Sequence, residues 1–436
     1  MCFISPHCTS APKIALVLIL VLAACQSPGP PKRAVENVQV VRDQTGFRLN
    51  VDGRDFFVMG MNWDYFPIGT NYRYRLWDEP DDVIEEALNR EMSLMKAMGV
   101  NAIRQYVGVP PRWVTWIHEH YGIYTILNHP LGRYGVSVGG MCTAPTDYAD
   151  PQTREAIIAE VLSMVEAFRD TPGVLIWLLG NENNYGLVWQ GAETEDLPEA
   201  QRDLTTAKPL YSLFGETARR IKEVDTLRPV AMANGDMGYL DLIVEHASDV
   251  DIFGMNTYRG TSFTDAWDQM VQEWDRPILL TEFGADAWNA LSGEEAQREQ
   301  AVFLASQWQE IYAHAAGQSG HGHSIGGLTF QWSDGWWKYN QEDLLDVHDT
   351  HASWSNGGYA FDYVEGANNM NEEWFGIVAK AETDQRMQFG LLPRAAYYTL
   401  QHIHELDPLT ATPEQVRAHF QSIDIDKDLA QAIRAN

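Results

Sequence analysis

The sequence is poor in basic residues for its length. Its 436 residues include 31 Lys and Arg against 60 Asp and Glu, and the formal net charge is −29 at pH 7. A surface of that sign repels phosphate backbones and anionic lipid headgroups. Nucleic acids are therefore excluded as partners, and a neutral ligand is favoured over a sulfated or uronate-rich one.

Cysteine is also scarce, with four residues in the whole chain. Cys2 and Cys8 lie in a segment that we expect to be removed, and Cys25 is assigned below to an anchor. Cys142 is then alone in the folded body, so no disulfide is expected there and no zinc-site spacing exists. Cys142 also lacks the basic or helix-start context of a reactive thiol, and we interpret it as structural. We expect neither a metal nor a cofactor.

Long apolar runs are missing apart from residues 14–24, which are too few to span a bilayer. With Lys13 before it and Leu22-Ala23-Ala24-Cys25 at its end, this run predicts a signal peptide over residues 1–24. Leu-Ala-Ala-Cys resembles the bacterial lipoprotein signal, which implies that Cys25 is lipidated and that the only membrane contact is through this lipid. Residues 25–37 are then a tether, and the protein lies in the cell envelope, with Gln26 favouring the outer membrane. An ordinary secretory signal with an incidental cysteine is the alternative.

The rest of the chain is dominated by short apolar segments that alternate with amphipathic helical ones, after a hairpin that begins near Val38. The predicted strands are 56–62, 102–106, 123–128, 174–179, 230–233, 252–255, 278–281 and 327–331. The predicted helices are 83–98, 112–121, 154–168, 211–224, 240–247, 264–274, 294–315 and 394–405. Eight such units predict an α/β fold, a single-domain (β/α)8 TIM barrel over residues 38–405. An open doubly wound sheet is disfavoured because no strand precedes a Gly-rich phosphate loop.

Two segments near the end of the chain fall outside this alternation. Residues 333–393 form a long loop after the last strand, rich in Trp, Asn and Gly, and residues 406–436 form a helical tail. We expect the closely spaced acids Asp424, Asp426 and Asp428 to be solvated, because Leu429 replaces the glycine that a calcium loop of the EF-hand type needs. The histidines of the Gly-rich segment 314–323 are likewise interpreted as solvated.

Two glutamates follow apolar strands at equivalent positions. Glu182 follows strand 174–179 and Glu282 follows strand 278–281. A carboxylate at such a position is costly to desolvate unless it is hydrogen-bonded or takes part in the chemistry of the site. The two are 100 residues apart, about three barrel units, so they lie on opposing sides of the barrel mouth. Carboxylates that converge to about 5–5.5 Å are what a retaining glycosidase needs. A structural or metal-binding pair is the alternative.

With these residues the sequence resembles the glycoside hydrolase clan A barrels, which include families two and five. In that clan an Asn-Glu pair ends strand four and supplies the acid/base, and a glutamate ending strand seven is the nucleophile. Asn181-Glu182 and Glu282 match those positions. The resemblance extends to four further strand ends, namely Asn62-Trp63, Arg104, Tyr258 and Trp332. Few residues precede the first strand, which favours a stand-alone barrel nearer to family five in build.

The resemblance and general chemistry together suggest a role for each of these side chains. Asn181 is expected to bind a sugar 2-hydroxyl, Arg104 to hold Glu282 ionised and Tyr258 to orient it, while burial raises the pKa of Glu182. The remaining candidates for sugar contacts are Asn62, Trp63, His129, Trp332 and Trp336. His129 is equally well explained as a structural histidine.

These observations predict a retaining β-glycosidase that acts on a neutral poly- or oligosaccharide, of β-glucan or β-galactan type. A transglycosylase would use the same two glutamates, because only the acceptor of the second step differs. A non-catalytic carbohydrate-binding lipoprotein is a third possibility, which the presence of both carboxylates disfavours.

Overall fold

The computed structural model describes residues 35–187, 204–338, 341–352 and 369–435. The predicted signal peptide and Cys25 lie outside these residues. Eight parallel strands close into a barrel, as predicted. In chain order they are Val58–Asn62, Ala102–Tyr106, Tyr124–His129, Val174–Leu179, Val230–Gly235, Ile252–Asn256, Ile278–Phe283 and Ser324–Thr329. Pairing of the eighth strand with the first, from Gly326 with Val58 to Thr329 with Met61, closes the ring.

The barrel strands are buried along their whole length, which explains why they are nearly continuous apolar runs. Every residue of the fourth strand, Val174–Leu179, is buried. The eighth strand begins three residues earlier than the predicted 327–331 and ends at Thr329. Its first residue, Ser324, is fully buried although it is polar, so hydrophobicity alone did not reveal the start of the strand.

Helices cover the outside of the barrel. They span Asp81–Met98, Pro111–Tyr121, Pro151–Phe168, Leu204–Val224, Leu240–His246, Ala266–Trp274, Gln297–Ala313 and Ala395–Ile403. The fourth helix starts well before the predicted residue 211, because it continues through Pro209, a residue that normally interrupts a helix. Short 3-10 helices occupy Leu76–Asp78, Tyr185–Leu187 and Glu372–Trp374.

A three-stranded antiparallel sheet closes the base of the barrel. Its strands are Val38–Asp43, Gly46–Val51 and Arg54–Phe56. Phe47, Leu49 and Val51 form one apolar cluster with barrel-strand residues. Glu36, which the sequence placed in the tether, is also buried here: its carboxylate accepts a hydrogen bond from the Gly173 amide at 3.0 Å and lies 3.1 Å from His118 Nε2.

Among the described residues, three two-stranded hairpins lie in the loops, and one of them contains Cys142. They pair Val136–Val138 with Met141–Thr143, Trp288–Asn289 with Glu294–Glu295, and Val378–Thr383 with Phe389–Pro393. Cys142 lies in the exposed strand Met141–Thr143 and is disulfide-bonded. The expectation of a folded body without a disulfide is therefore wrong.

The C-terminal tail consists of two helices, Pro413–Ser422 and Ile425–Ala435. Of the three acids that we expected to be solvated, Asp424 and Asp426 are exposed, but Asp428 is not. Asp428 is fully buried, accepts a hydrogen bond from the Thr399 hydroxyl at 2.8 Å and lies 3.4 Å from His402. The last helix thus packs against Ala395–Ile403 through a buried polar contact. Among the described residues, no helix is both long and apolar enough to cross a membrane.

Candidate active site

Glu182 and Glu282 lie at the carboxyl ends of the fourth and seventh barrel strands, and both are buried. Glu282 is part of the strand Ile278–Phe283. Glu182 follows a sharp turn in which Gly180 has a φ of 80° and Glu182 itself has a φ of 53°. A Cβ atom at position 180 would lie only 2.6 Å from the Phe214 ring. Glycine is therefore required for the turn that aims the Glu182 side chain at the mouth.

Glu282 is held from two sides. Arg104 Nη1 donates to its Oε1 at 2.5 Å, and the Tyr258 hydroxyl donates to its Oε2 at 3.1 Å. Arg104 is fully buried, so this is a charge-assisted hydrogen bond that is largely shielded from solvent. Both oxygens of Glu282 therefore accept hydrogen bonds. The contacts expected of Arg104 and Tyr258 are thus both present.

Asn181 is oriented by three neighbours. Its Oδ1 accepts hydrogen bonds from Arg104 Nη2 at 2.8 Å and from Asn256 Nδ2 at 3.1 Å. Its own Nδ2 donates to the Tyr134 hydroxyl at 2.9 Å. The amide is therefore fixed with its nitrogen toward the loop after the third strand, next to the two carboxylates.

Glu182 is linked to the same network through Asn256. Asn256 Nδ2 donates to Glu182 Oε1 at 3.1 Å, while Asn256 Oδ1 accepts from the Thr281 hydroxyl at 2.7 Å. Burial raises the pKa of Glu182 to about 8, and the negative charge of Glu282 acts in the same direction. Hydrogen bonding by Asn256 opposes this rise. The pKa of Glu182 is therefore shifted upward, which is the direction expected of an acid catalyst.

The two carboxylates are therefore joined by a continuous chain of side chains. Arg104 binds both Glu282 and Asn181, and Asn256 binds both Asn181 and Glu182. The negative charge of Glu282 also raises the pKa of Glu182. Glu282 is thus held by two hydrogen-bond donors, whereas burial favours the protonated form of Glu182. This division of roles is the one that glycoside hydrolysis with a covalent intermediate uses.

Two buried asparagines accept hydrogen bonds from Arg104. Asn62 Oδ1 accepts from Arg104 Nη1 at 3.2 Å, and Asn128 Oδ1 accepts from Arg104 Nε at 2.8 Å. Asn62 in turn donates to the Thr281 carbonyl at 3.0 Å. The structure thus places Asn62 beneath Arg104, where its contacts are with protein groups.

The predicted aromatic residues divide into two groups. Trp63 and Trp332 are buried beside Asn62, where the Trp332 amide donates to the Asn62 carbonyl at 3.1 Å. Their indole nitrogens both donate to one carboxylate, that of Glu91. Trp336 is half-buried and stacks instead on His348, with ring centroids 4.5 Å apart.

His129 is not brought to the carboxylates. Its Nδ1 accepts a hydrogen bond from the Leu131 amide at 3.1 Å, and its Nε2 lies 3.9 Å from a carboxylate oxygen of Glu160 on the covering helix. Burial lowers the pKa of His129 to about 4, so the ring is neutral. The structural interpretation of His129 therefore fits these contacts, and the ring faces the helix rather than the mouth.

Three functional residues were missed from the sequence. Asn128 and Asn256 each end or nearly end a barrel strand, a position that could have marked them. Glu91 lies inside the helix Asp81–Met98, and its only signal is that it interrupts the apolar face of that helix. Among the described residues, no group of three or more His, Cys, Asp or Glu side chains is arranged to hold a metal ion.

A closed (β/α)8 barrel with this arrangement at the ends of strands four and seven is a clan A glycosidase barrel. The sequence matches the glycosyl hydrolases family 2 TIM barrel domain over residues 81–321. The chain therefore belongs to glycosyl hydrolase family 2. The sequence resemblance had included families two and five of the clan, and this match is to family two.

Similar proteins include two β-galactosidases. The chain is 24% identical over 247 residues to the one from Lactococcus lactis subsp. lactis, covering 56% of this chain and 21% of that protein. It is 23% identical over 296 residues to the one from Enterobacter cloacae, covering 66% and 22%. The chain thus spans about a fifth of the length of these relatives.

Solved structures show the same fold. The crystal structure of the Ruminococcus gnavus β-glucuronidase has a TM-score of 0.55 and 16% sequence identity, covering 85% of this chain and 53% of that one. The crystal structure of a family 2 β-galacturonidase from Eisenbergiella tayi, bound to galacturonate, has a TM-score of 0.50 and 17% identity, covering 89% and 54%.

Proposed function

We propose that this protein is a retaining β-glycosidase in which Glu282 is the nucleophile and Glu182 is the acid/base. The observation that carries the proposal is the contrast between the two buried carboxylates. Glu282 accepts hydrogen bonds from Arg104 and Tyr258, and burial raises the pKa of Glu182 to about 8. An ionised nucleophile and a protonated acid are the two states that the first step requires.

In the first step a Glu282 oxygen forms a bond to the anomeric carbon, and the bond from that carbon to the leaving oxygen breaks. Glu182 gives its proton to the leaving oxygen, so the aglycone departs as a neutral alcohol. After this step Glu282 is esterified and neutral, and Glu182, which has lost its proton, is ionised.

In the second step Glu182 removes a proton from water, whose oxygen attacks the anomeric carbon. The bond to Glu282 breaks, and the carboxylate returns to its hydrogen bonds with Arg104 and Tyr258. Since esterified Glu282 no longer repels it, Glu182 has a lower pKa in the intermediate, which suits its role as base. Asn181, whose amide is fixed by Arg104 and Asn256, lies where it can bind the sugar 2-hydroxyl.

We propose a neutral β-glucan or β-galactan as the substrate. Arg104, Arg259 and Lys338, at the carboxyl ends of the strands or in the loops beyond them, are bound by the carboxylates of Glu282, Asp236 and Asp349. These three charges are thus neutralised, and the net charge of −29 disfavours an anionic sugar further. Arg133, in the loop after the third strand, adds a positive charge near Glu182. The two β-galactosidases among the relatives support a neutral galactoside, whereas the β-glucuronidase structure makes a uronide the competing substrate.

The test is a panel of aryl β-glycosides that includes glucoside, galactoside and glucuronide, assayed with wild type, Glu282→Gln, Glu182→Gln and the control Glu155→Gln. Glu155 is an exposed residue of a covering helix. We expect Glu282→Gln to lower kcat at least about 1,000-fold on every substrate. Glu182→Gln should lower kcat on every substrate, because the second step loses its base. It should lower kcat/KM only where the leaving group is poor, because a good one departs without a proton.

Nuclear magnetic resonance of the first-formed sugar should show the anomeric configuration of the substrate. Full activity of Glu282→Gln, or inversion, would overturn the mechanism. A glucuronide that is turned over faster than the neutral glycosides would overturn the substrate proposal alone. Chromatography of products at high acceptor concentration separates hydrolysis from transglycosylation.

We also propose, from the Leu-Ala-Ala-Cys signal, that Cys25 carries the lipid and that the protein lies in the cell envelope. Metabolic labelling with a fatty acid should mark wild type and fail to mark Cys25→Ser. Labelling of both proteins, or a disulfide that joins Cys142 to Cys25, would contradict the proposal.

A further inference from the structure

Glu91 is a carboxylate that the two-step mechanism does not use. It belongs to the first covering helix, Asp81–Met98, and it is fully buried among apolar residues of that helix, namely Ala87, Leu88, Met92 and Met95. A buried carboxylate is costly unless its charge is compensated. An apolar side chain would suit this helix face better, so the acid calls for an explanation.

The hydrogen bonds of Glu91 explain why an acid is present on this helix face. Trp63 Nε1 and Trp332 Nε1 both donate to the same oxygen, Oε2, at 3.1 and 2.5 Å. One carboxylate therefore joins two indoles that come from the first and the eighth barrel strand, on either side of the seam where the barrel closes. Burial raises the pKa of Glu91 to about 7, although the two indole N–H groups and the nearby cations Lys380 and Arg90 favour the ionised form.

The main chains of Trp63 and Trp332 are connected to the catalytic network. The Trp63 amide donates to the Arg104 carbonyl at 3.3 Å, and the Trp332 amide donates to the Asn62 carbonyl at 3.1 Å. Asn62 in turn contacts Arg104, which binds Glu282. These contacts place both tryptophans next to the residues that hold the nucleophile.

We propose that Glu91 is a positioning residue that fixes the Trp63 and Trp332 indoles as the sugar-facing wall beside Glu282. This inference rests on the proposed glycosidase function, because the wall matters only where a sugar binds. Glu91 touches neither substrate nor reacting atoms, and it acts through the two rings. Since a wall contributes to binding of both the substrate and the transition state, its loss raises KM more than it lowers kcat.

The test compares Glu91→Gln, Glu91→Asp and Glu91→Leu. The amide oxygen of glutamine has two lone pairs and can accept both indole N–H groups, so Glu91→Gln should keep KM and kcat within about threefold. Aspartate keeps the charge but is one methylene too short to reach both rings, and leucine removes the acceptor. Both should raise KM about tenfold or more, with kcat within about threefold of wild type.

The chain offers a matched control at the opposite end of the barrel. Asp225 is buried and accepts a hydrogen bond from Trp177 Nε1 at 2.9 Å, but it follows the fourth helix, at the base. Asp225→Asn should leave KM unchanged even if the protein is less stable. If it raises KM as much as Glu91→Asp does, the effect is a general one of buried carboxylates and the proposal is wrong.

Near-ultraviolet circular dichroism separates this inference from the proposed function. The tryptophan bands should change in Glu91→Asp and Glu91→Leu and should be retained in Glu91→Gln. If wild type turns over no glycoside, the proposed function fails while these spectra still report whether Glu91 fixes the rings. Should Glu91→Leu not fold, Glu91→Asp carries the kinetic comparison. Unchanged KM and spectra in Glu91→Asp, or a Glu91→Gln protein as impaired as Glu91→Asp, would overturn the proposal.

Discussion

Substitution of the protonated glutamate should stabilise the protein at alkaline pH. In the folded protein, burial and the charge of Glu282 raise the pKa of Glu182 from 4.5 to about 8. A group whose pKa is raised by folding stabilises the folded state below its unfolded pKa, and that stability is lost as the pH rises through the folded pKa. Between pH 4.5 and 8 the loss amounts to roughly 5 kcal/mol, at about 1.4 kcal/mol for each pH unit. Glutamine at this position does not titrate and escapes the loss.

The assay is urea unfolding of wild type and Glu182→Gln, followed by tryptophan fluorescence at intervals from pH 5 to pH 9. The difference in free energy of unfolding between the two proteins removes the contributions of all groups that titrate equally in both. We expect this difference to move in favour of Glu182→Gln by several kcal/mol between pH 5 and pH 9. Glu155→Gln, at an exposed position, should show no such trend. A difference for Glu182→Gln that stays constant within about 1 kcal/mol would refute the raised pKa.

Three further predictions concern the neighbours of the two glutamates and the base of the barrel. Arg104→Met leaves Glu282 as a buried charge without its partner, and it should lower the free energy of unfolding by about 3–5 kcal/mol in urea; a loss below about 1 kcal/mol would contradict the charge pairing. Asn256→Leu removes a hydrogen bond that lowers the pKa of Glu182, so the alkaline limb of kcat/KM should move to higher pH, and a move to lower pH would argue against the contact. Burial opposes the ionisation of Glu36, but hydrogen bonds from His118 and Gly173 lower its pKa to about 2, so its stabilising contribution is present above pH 4.5 and is lost as the pH falls. The Tm deficit of Glu36→Gln should therefore be larger at pH 7 than at pH 3, and an equal deficit at both would show that charge plays no part.

The barrel was predictable because its strands carry a strong local signal. A strand that is buried on both faces, such as Val174–Leu179, must be apolar throughout, and eight of these between helices leave few other folds. Boundaries were less accurate where burial depends on distant contacts. Ser324 begins the eighth strand because it pairs with Ile278 of the seventh strand, a partner that is not visible in the local sequence.

The central pair of the site was predictable for a related reason. The carboxyl ends of parallel strands meet at one edge, so a carboxylate after an apolar strand can be assigned to the mouth from its position alone. Glu182 and Glu282 gave this signal, as did Arg104. Asn256 occupies the same kind of position, but an asparagine at a strand end is equally common in ordinary turns. Its role depends on the Thr281 hydroxyl, which sets the direction of its amide.

The partners of Glu91 could not be predicted from the helix pattern. It falls on the apolar face of Asp81–Met98, three residues after Leu88 and four before Met95, where a charged residue is unexpected. That interruption is visible in the sequence, but its partners are not. Trp63 and Trp332 lie 28 and 241 residues away, and only the closure of the barrel brings both indoles to one oxygen.

The contacts of Glu36 have a consequence for groups coupled to the protein. The described chain begins at the base of the barrel, where Glu36 contacts His118 and Gly173, and the two glutamates lie at the opposite end. A carrier coupled at residue 35 is therefore held at the end of the barrel opposite the two glutamates. Immobilisation at that residue should leave the site unobstructed for substrates as large as a polymer.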